Sequence, residues 1–377
     1  MRNTLPVPIL FTIPNFVTAG SGRAMLNIIE RLDRSSFSPA VCVLKRGGNL
    51  DKEVERMGIP LIEAPFTVPV LPRHYLLIRA YKAAQNFRAY RFVLWHSFHY
   101  ASDYTEPIIA RMAGAKAWIF TKKNMGWGSR SWLLRSLLAT RIAVQNTDMM
   151  KQFFSSWYFR SKARLIPRGV VTTRFHPRVP PRLGLRERLK ISKDAIVVAC
   201  VAHMVPVKGH PTLLQAVARV QSLHLLLAGK PLDEAYVGSL KSLIRELNIM
   251  TRVHFLGEVD DVPAMLAETD IFVLPTWAKW RMEGCPVALL EAMACGKACI
   301  ATDVPGSRDV VVNGETGFLV PPEDPDALAE ALISLTSSKH LRDRLGYSAR
   351  KRVEMYYSIE REVQAHVALY EEILGDL

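Results

Sequence analysis

Cysteine is scarce in this chain, and its distribution excludes one class of fold. The 377 residues contain an odd number of cysteines, most of them inside apolar segments: Cys42, Cys200, Cys285, Cys295 and Cys299. This pattern argues against a disulfide framework and favours a reducing compartment. Cys295 and Cys299 have no His or third Cys nearby in the sequence, so we expect no structural zinc.

Long apolar runs are also lacking. No segment approaches the roughly 20 apolar residues that a membrane-spanning helix needs. The apolar stretch 5–11 is short, contains two prolines and has no clear cleavage site, so it predicts a first strand rather than a signal peptide. We therefore expect a cytoplasmic protein. Its length is about right for two domains, each with a sizeable core.

Acidic residues are rare in the middle of the chain. Residues 122–193 contain seventeen Lys and Arg against two acids, whereas the whole chain has a net charge of +14. Within this region, 129–141 combines apolar, aromatic and basic residues, including Trp132, Leu133 and Arg135. Such a composition suits a helix on an anionic membrane surface, and a solvated basic face without a partner is the alternative. We expect no nucleic-acid partner, because no binding motif is present.

Strand-like and helix-like segments alternate in two series, which predicts an α/β fold of two doubly wound Rossmann-like domains facing each other across a cleft. Four ranges follow: an N-terminal domain (1–172), a linker rich in Pro and Arg (173–193), a C-terminal domain (194–355) and a final helix (356–377). We expect the final helix to pack back toward the N-terminal domain. Ligands of such sheets bind beyond the carboxyl ends of the strands.

One stretch of the second series combines an apolar helix with two acids. Pro286 suits the first position of a helix and Gly296 suits its end, with an almost wholly apolar segment between them. Glu291 lies in this segment and Glu283 precedes it. Free backbone N–H groups at the helix start attract anions, and they belong to Gly284, Cys285 and Val287. The pattern predicts a ligand with phosphate and hydroxyl groups, and a surface acid with a salt-bridged acid is the alternative.

The spacing of Glu283 and Glu291 resembles the E-x7-E signature of retaining glycosyltransferases of the GT-B fold, family GT4. The resemblance continues through segments 201–209, 255–257, 299–306 and 313–322 and through Asp324. It thus covers roughly the C-terminal half of the chain. The N-terminal half resembles the family only in outline.

The resemblance implies roles for residues of the C-terminal half. Glu291 would bind the ribose hydroxyls of a nucleotide-sugar donor, Glu283 would contact the donor sugar, and Lys208 would neutralise the diphosphate. His203 stands where the family usually has an arginine on the diphosphate. Asp309 falls where the family often has a glutamate beside the donor. The implied donor-binding set is Gly20, Gly22, His203, Lys208, Glu283, Gly284, Cys285, Pro286, Val287 and Glu291.

In the N-terminal half, Gly20-Ser21-Gly22 resembles the glycine loop of the family. His96 resembles the histidine that the family places close to the reacting sugar carbon, and with Lys208 and Glu283 it completes the implied catalytic set. His99 is an alternative for this role, and a histidine satisfied within the core is another. Arg23 is a departure from the family pattern.

The implied activity is transfer of a sugar, with retention, from a UDP- or GDP-linked donor to a glycan or lipid-linked acceptor in cell-surface polysaccharide or lipopolysaccharide synthesis. The resemblance implies no metal and no other cofactor. Asp324 and Asp326 mimic a D-x-D metal motif, but they stand at a predicted helix start. A catalytically silent nucleotide-sugar- or glycan-binding protein, or a nucleotide-sugar epimerase, remains an alternative. We expect the protein to attach peripherally to the inner face of the cell membrane.

Overall fold

The structure is a computed structural model that describes residues 5–17, 19–221, 223–279 and 284–377. The chain forms two compact units. Unit 1 comprises the described residues of Met1–Lys123, Trp127–Arg168 and Ile359–Leu377, and unit 2 comprises those of Asn124–Gly126 and Gly169–Ser358.

Unit 1 is a parallel sheet with helices between its strands. Its strands are β1 (Val7–Ile13), β2 (Phe37–Val43), β3 (Leu61–Glu63), β4 (Leu94–Ser97), β5 (Ala117–Lys122), β6 (Arg141–Val144) and β7 (Ala163–Leu165). Its helices are α1 (Ala19–Glu30), α2 (Asp51–Arg56), α3 (Leu76–Arg88), α4 (Thr105–Met112), α5 (Arg130–Leu138), α6 (Thr147–Phe153), α7 (Trp157–Lys162) and the final helix α16 (Ile359–Gly375). The described strands run in the order β3-β2-β1-β4-β5-β6-β7. Strands β4 and β5 are buried along their whole length, as expected for central parallel strands covered on both faces.

Unit 2 is also a parallel sheet with helices between its strands. Its strands are β8 (Ile196–Val201), β9 (Leu223–Ala228), β10 (Val253–Gly257), β11 (Ile271–Leu274), β12 (Ala298–Thr302) and β13 (Phe318–Val320). Its helices are α8 (Leu185–Arg188), α9 (His210–Arg219), α10 (Glu234–Glu246), α11 (Val262–Ala267), α12 (Val287–Ala294), α13 (Ser307–Val310), α14 (Pro325–Ser337) and α15 (Lys339–Tyr356). The order of the described strands is β10-β9-β8-β11-β12-β13, with parallel pairing throughout. The predicted fold class, two doubly wound α/β domains, is confirmed.

Helix α15 is the element that the sequence pattern did not reveal. Its eighteen residues are strongly charged, and the buried ones are Leu345, Gly346, Ala349 and Val353. Position 346 requires glycine for steric reasons, because a Cβ atom there would lie 2.1 Å from the carbonyl oxygen of Gly296. The close approach lets α15 pack on α12 and cover it.

Across the described ranges, no helix combines the length and the apolar character needed to cross a bilayer.

Candidate functional site

The candidate site in unit 2 lies at the carboxyl ends of its strands. Connections leave β8 toward β9 on one side, while β11 and β12 lie on the other, so the strand order reverses between β8 and β11. In open parallel sheets, ligands bind in the crevice at this switch point. The loops that follow β8, β11 and β12 therefore form the candidate site of unit 2.

Gly209 lets the loop after β8 meet the loop after β11. Its φ is +68°, and a Cβ atom there would lie 1.8 Å from the carbonyl oxygen of Pro275. The amide of Trp277 donates to the carbonyl of Val207 at 2.9 Å, which joins the two loops a second time. Only glycine fits such a left-handed position against a neighbouring backbone. The position of Lys208, one residue before, is fixed by this joint.

Lys208 is half-buried beside this joint, and its charge acts on the His210 imidazole. Burial and the Lys208 ammonium lower the pKa of His210 to about 4, so His210 is neutral at pH 7. Its Nδ1 lies 3.2 Å from the Tyr236 hydroxyl. His203 stands at the end of β8 with an exposed side chain. Lys208 and His203 both lie in the segment between β8 and α9.

The start of α12 is held against the loop after β12. A Cβ atom at Gly306, whose φ is +85°, would lie 2.6 Å from the carbonyl oxygen of Gly284. Helix α12 begins at Val287, with Pro286 at the capping position, one residue later than predicted. The predicted stop at Gly296 is confirmed, because the helix ends at Ala294 and Gly296 has a φ of +70°.

Glu291 is a half-buried carboxyl on an otherwise apolar helix. Burial raises its pKa to about 7, and the nearby Arg174 guanidinium opposes this shift. Among the described residues, no hydrogen-bond donor lies on its carboxyl oxygens. A carboxyl in this position gains from hydroxyl donors supplied by a ligand. Arg174 was missed by the sequence analysis, since a lone Arg in a basic linker carries no signal.

Two other residues complete this edge of unit 2. Asp309 lies on α13, and its carbonyl oxygen accepts hydrogen bonds from the Tyr357 hydroxyl at 2.6 Å and from Arg352 Nη2 at 2.8 Å. Thr276, in the loop after β11, has a buried hydroxyl without a partner among the described residues. A buried hydroxyl of this kind is available to a ligand.

Cys285 is half-buried and Gly284 is buried at the start of α12. Glu283, the first acid of the predicted pair, lies outside the described residues.

In unit 1 the predicted glycine loop is part of a helix. Gly20 and Gly22 both lie in the first turns of α1, which begins at Ala19. Glycine at position 22 is explained by packing, because a Cβ atom there would lie 2.7 Å from Cδ1 of the buried Phe16. Arg23 forms an ion pair with Glu53. The sequence pattern placed the helix start too late because small residues give little helical signal.

The two candidate histidines of unit 1 differ in their surroundings. His96 is fully buried in β4, with Nδ1 2.7 Å from the Tyr370 hydroxyl and Nε2 2.9 Å from the Thr121 hydroxyl. Both ring nitrogens are thus satisfied within unit 1. His99 follows the strand and is 8% exposed, and its Nδ1 has no hydrogen-bond partner among the described residues. Burial lowers the pKa of His99 to about 4, aided by the Arg135 charge.

A buried ionic network beneath these histidines was missed from the sequence. The carboxylate of Glu106 accepts hydrogen bonds from the Trp95 indole at 3.1 Å, the Ser97 hydroxyl at 2.7 Å and the Thr12 hydroxyl. Arg135 Nη2 lies 3.3 Å from the same carboxylate, and both side chains are fully buried. A buried pair needs such additional hydrogen bonds to offset desolvation.

This network corrects the interpretation of segment 129–141. Arg135 and Trp132 were assigned to a membrane-facing surface, but both are buried inside unit 1. Arg141 also forms an ion pair within unit 1, with its Nε 2.9 Å from Oε1 of Glu372. The pattern misled because a basic residue beside aromatics is equally suited to a buried stack, and Arg135 lies 4.7 Å from the Trp118 ring centroid.

The buried Lys122 ends β5, and the half-buried Lys123 follows it. The Lys122 ammonium lies 3.9 Å from the centroid of the Trp132 ring, and burial lowers its pKa to about 7. Burial and the charges of Arg168 and Arg135 lower the pKa of Lys123 well below its ordinary value. Arg168 itself is paired with Glu362 at 2.8 Å. Unit 1 therefore concentrates basic side chains at the carboxyl end of its sheet, and burial disfavours the charged form of the two lysines among them.

The predicted cap at Asp324 is confirmed, because its carboxylate accepts from the amides of Asp326 and Ala327 at the start of α14. Within the described residues there is no cluster of three or more His, Cys, Asp or Glu side chains that could hold a metal ion.

Comparison with known proteins places this architecture in a family. The model of the family described as glycosyl transferases group 1 matches residues 182–352. Over 195 residues the chain is 31% identical to N-acetyl-alpha-D-glucosaminyl L-malate synthase of Bacillus anthracis, covering 51% of this chain and 49% of that protein. Over 272 residues it is 30% identical to GDP-mannose-dependent monoacylated alpha-(1-6)-phosphatidylinositol monomannoside mannosyltransferase of Corynebacterium glutamicum, covering 67% of this chain and 69% of that protein. For the first relatives that it matches, the chain spans 49% to 66% of their length.

Among solved structures, a glycosyltransferase from Rickettsia africae ESF-5 superposes with a TM-score of 0.87 at 21% identity, covering 99% of this chain and 100% of that one. This likeness concerns the fold. The family is shown by the relative from Corynebacterium glutamicum, with 30% identity across more than two thirds of its length, together with the matching family model. The chain belongs to the glycosyl transferases group 1 family.

Proposed function

We propose that this chain is a retaining, metal-independent glycosyltransferase that moves a sugar from a nucleotide-sugar donor to a glycan or lipid-linked acceptor in cell-surface polysaccharide or lipopolysaccharide synthesis. Unit 2 binds the donor and unit 1 receives the acceptor. The observation that carries the proposal is that the loop of Lys208 follows β8 and that α12, which bears Glu291, follows the neighbouring β11, so both start at the carboxyl ends of the two strands at the switch point of unit 2. Relatives named for GDP-mannose and for a phosphatidylinositol acceptor support the chemical class.

Glu291 supplies the acceptor oxygens that a ribose diol requires. In the free protein its carboxyl has a pKa of about 7, because burial disfavours the charged form. Two ribose hydroxyls that donate to it favour the ionised form, so donor binding and ionisation support each other. Arg174 adds a cation on the same side.

The diphosphate is neutralised by Lys208 and by the backbone amides that open α12, at Gly284, Cys285 and Val287. Charge grows on the diphosphate as its bond to the sugar breaks, and a fixed ammonium stabilises that charge. His203, on the same loop, is the further donor in place of the usual arginine. Glu283 is assigned to the donor sugar and Asp309 to its surroundings. At the start of α1, Gly20 leaves room for a ligand, since nothing lies within 4 Å of a Cβ position there, whereas Gly22 is packed against Phe16.

For the imidazole near the reacting sugar carbon, the geometry favours His99 over His96. Both nitrogens of His96 have partners, whereas Nδ1 of His99 has none among the described residues. A neutral His99, whose pKa burial lowers to about 4, accepts or donates one hydrogen bond to a sugar hydroxyl at neutral pH. His99→Ala should then lower kcat/KM while His99→Gln restores part of it.

Thermal shifts with UDP-, GDP- and ADP-sugars test the donor site, because a ligand of the folded state raises its apparent stability. We expect one base to give the largest shift, and Glu291→Ala to abolish it. Glu330→Ala, an exposed acid on α14, is the matched control and should leave the shift intact. No shift with any nucleotide sugar would contradict the proposal.

The same preparations decide between transfer and the alternatives. Transfer gives a product whose anomeric configuration, measured by NMR, matches the donor. Addition of a chelator should leave the rate unchanged. A silent binding protein would show the thermal shift without transfer or donor hydrolysis. An epimerase would convert the free nucleotide sugar without an acceptor.

We also propose that unit 1 attaches to the anionic inner face of the cell membrane. The excess of basic residues in the first half and the lipid named in the acceptor of a relative support this attachment. Because Trp132 and Arg135 are buried, segment 129–141 exposes only part of the surface first assigned to it, including Arg130, Leu133 and Leu137.

A further inference from the structure

Helix α3 carries its large apolar side chains on the outside. Small residues and one aromatic form its buried side, namely Ala80, Ala83, Ala84 and Phe87. On the opposite side, Leu77, Ile78 and Tyr81 are 60%, 53% and 50% exposed. Tyr81 follows Leu77 by four residues and Ile78 by three, and residues at these spacings are neighbours on a helix surface, so the three side chains form one patch. Soluble helices normally show the reverse arrangement, with the large apolar residues inside.

The segment before α3 extends the patch. Leu71 is 71% exposed and Tyr75 is 48% exposed. Arg79 ties this segment to the helix, because its Nη1 donates to the carbonyl of Leu71 at 2.6 Å and its guanidinium lies 5.7 Å from the Tyr75 ring centroid. We define the α3 face as Leu71, Tyr75, Leu77, Ile78 and Tyr81. Contiguous apolar surface of this kind marks an interaction site.

The charged residues of the segment that carries the α3 face have one sign. Residues 64–102 contain no Asp or Glu. The basic side chains of this stretch are Arg73, Arg79, Lys82, Arg88 and Arg91, and all except Arg79 are exposed. The Arg88 guanidinium lies 4.9 Å from the Tyr81 ring centroid, so charge and aromatic surface adjoin directly. An apolar patch bordered by cations is complementary to the anionic headgroups and acyl boundary of a membrane.

Helix α5 offers a weaker alternative. Its Leu133, Leu134 and Leu137 are 40–43% exposed, but Arg135 points inward to Glu106. On α5 itself only Arg130 is an exposed basic residue, whereas the segment of the α3 face has four. The difference in exposure and in charge selects the α3 face.

We propose that the α3 face docks unit 1 on an anionic membrane surface, with Leu77, Ile78 and Tyr81 at the headgroup boundary and Arg73, Lys82 and Arg88 on anionic headgroups. Docking deepens the proposed function, since it names the lipid surface from which a lipid-linked acceptor is reached. The docking itself needs neither donor nor acceptor, so the two proposals fail separately.

Cosedimentation of the full chain tests the proposal with vesicles of phosphatidylcholine alone and of phosphatidylcholine mixed with phosphatidylglycerol. We expect binding to the anionic vesicles, weakened by salt, and little binding to the neutral ones. Leu77→Asp/Tyr81→Asp should weaken binding at least about tenfold, because it removes apolar area and adds negative charge. Leu232→Asp/Met250→Asp in unit 2, at 59% and 60% exposure, is the matched control and should bind like the parent chain.

A second variant separates the two contributions. Arg73→Gln/Lys82→Gln/Arg88→Gln should lower the salt dependence while the apolar contact remains. Circular dichroism and thermal unfolding of each variant should match the parent, because the altered side chains are exposed.

Equal binding to neutral and anionic vesicles, no binding to either, or unchanged binding of Leu77→Asp/Tyr81→Asp would overturn the docking proposal. So would light scattering that shows a dimer which this variant dissociates, because the occupant would then be a second copy. The donor thermal shift of the variant should equal that of the parent. If the parent chain itself showed no thermal shift with any donor, that result would instead count against the proposed function.

Discussion

The two units share a fold but bury different chemistry. Unit 1 buries ionic groups under the carboxyl end of its sheet, namely Glu106, Lys122, Arg135, Arg168 and Glu362. Among the described residues of unit 2, the polar groups that are buried are mainly hydroxyls, and its Glu291 is half-buried on an apolar helix. The same architecture therefore holds two buried acid–base pairs and a buried lysine in unit 1, whereas unit 2 holds an acid that has no hydrogen-bond donor among the described residues.

This difference sets what each unit can bind. A buried acid with a raised pKa gains from hydroxyl donors, which a ribose supplies. An anion close to Lys122, whose pKa burial lowers to about 7, would favour the charged form of its ammonium, and under the proposed function a phosphorylated acceptor would supply that anion. The proposed division of labour, with the donor in unit 2 and the acceptor in unit 1, is in line with these two environments.

The largest expected effect is the loss of the buried carboxylate in unit 1. Glu106→Ala leaves Arg135 buried without its partner and removes the acceptor of three other hydrogen bonds. Breaking a buried pair from one side costs about 3–5 kcal/mol. Calorimetry should show a lower unfolding temperature for the transition of unit 1.

The matched control is Glu53→Ala, which breaks the partly exposed pair with Arg23. Such a pair contributes about 0–1 kcal/mol. If both substitutions lowered stability equally, the distinction between buried and surface charge in unit 1 would be lost.

A steric substitution has the next largest expected effect, in unit 2. Gly209→Ala places a Cβ atom against the Pro275 carbonyl at a φ of +68°. Strain in a left-handed position costs about 1–3 kcal/mol, and relief of the clash moves Lys208. We expect lower stability and a weaker donor thermal shift.

Gly238→Ala in α10 is the control, since nothing lies within 4 Å of the added methyl group. Alanine is favoured over glycine in a helix by about 1 kcal/mol, so this variant should be more stable than the parent. If Gly209→Ala were as stable as the parent and its donor thermal shift were unchanged, the contact between the loops after β8 and β11 would not fix the position of Lys208.

A smaller effect is expected from pH. The Glu291 carboxyl has a pKa of about 7 in the free protein, and bound hydroxyl donors require its ionised form. Donor affinity should therefore rise with pH and level off above 7, being about tenfold weaker at pH 6 than at pH 8. Glu291→Gln should bind weakly at both pH values and lose this dependence, as isothermal titration can show.

The same carboxyl gives a stability signature of defined sign. Its pKa is raised from 4.5 in the folded state, so the unfolded state releases its proton first as the pH rises. Stability of unit 2 should fall between about pH 4.5 and pH 7 and level off above. A Glu291→Gln variant that kept the same slope would contradict the raised pKa.

The fold class could be predicted because alternation of strands and helices is a local pattern. So could the ends of α12 to within a residue or two, since Pro286 and Gly296 act through backbone geometry. Helix α15 could not, because its apolar residues are too sparse to give a periodic signal and its packing depends on Gly346 meeting Gly296.

The candidate site shows the same limit. Lys208, Glu291 and the start of α12 belong to a short-range motif, and the structure gathers their loops at one edge of unit 2. In unit 1 the surroundings of the predicted residues depend on hydrogen-bond partners that are distant in the sequence. His96 meets Tyr370 across 274 residues, and Arg135 meets Glu106 across 29. No local pattern encodes these pairings, so Arg135 was misassigned to a surface.

The smallest expected effect tests whether local signals suffice in unit 2. Asp324 caps α14, whereas Asp326 forms an exposed pair with Arg219 at 3.2 Å. Asp324→Ala should cost about 1 kcal/mol, and Asp326→Ala about 0–1 kcal/mol, by thermal unfolding. Neither variant should change the response of the protein to Mg²⁺ or Mn²⁺, since a helix cap does not require a metal. Equal loss of a metal-induced thermal shift in both variants would mean that the D-x-D pattern binds a cation, and that unit 2 also depends on contacts that its local sequence does not reveal.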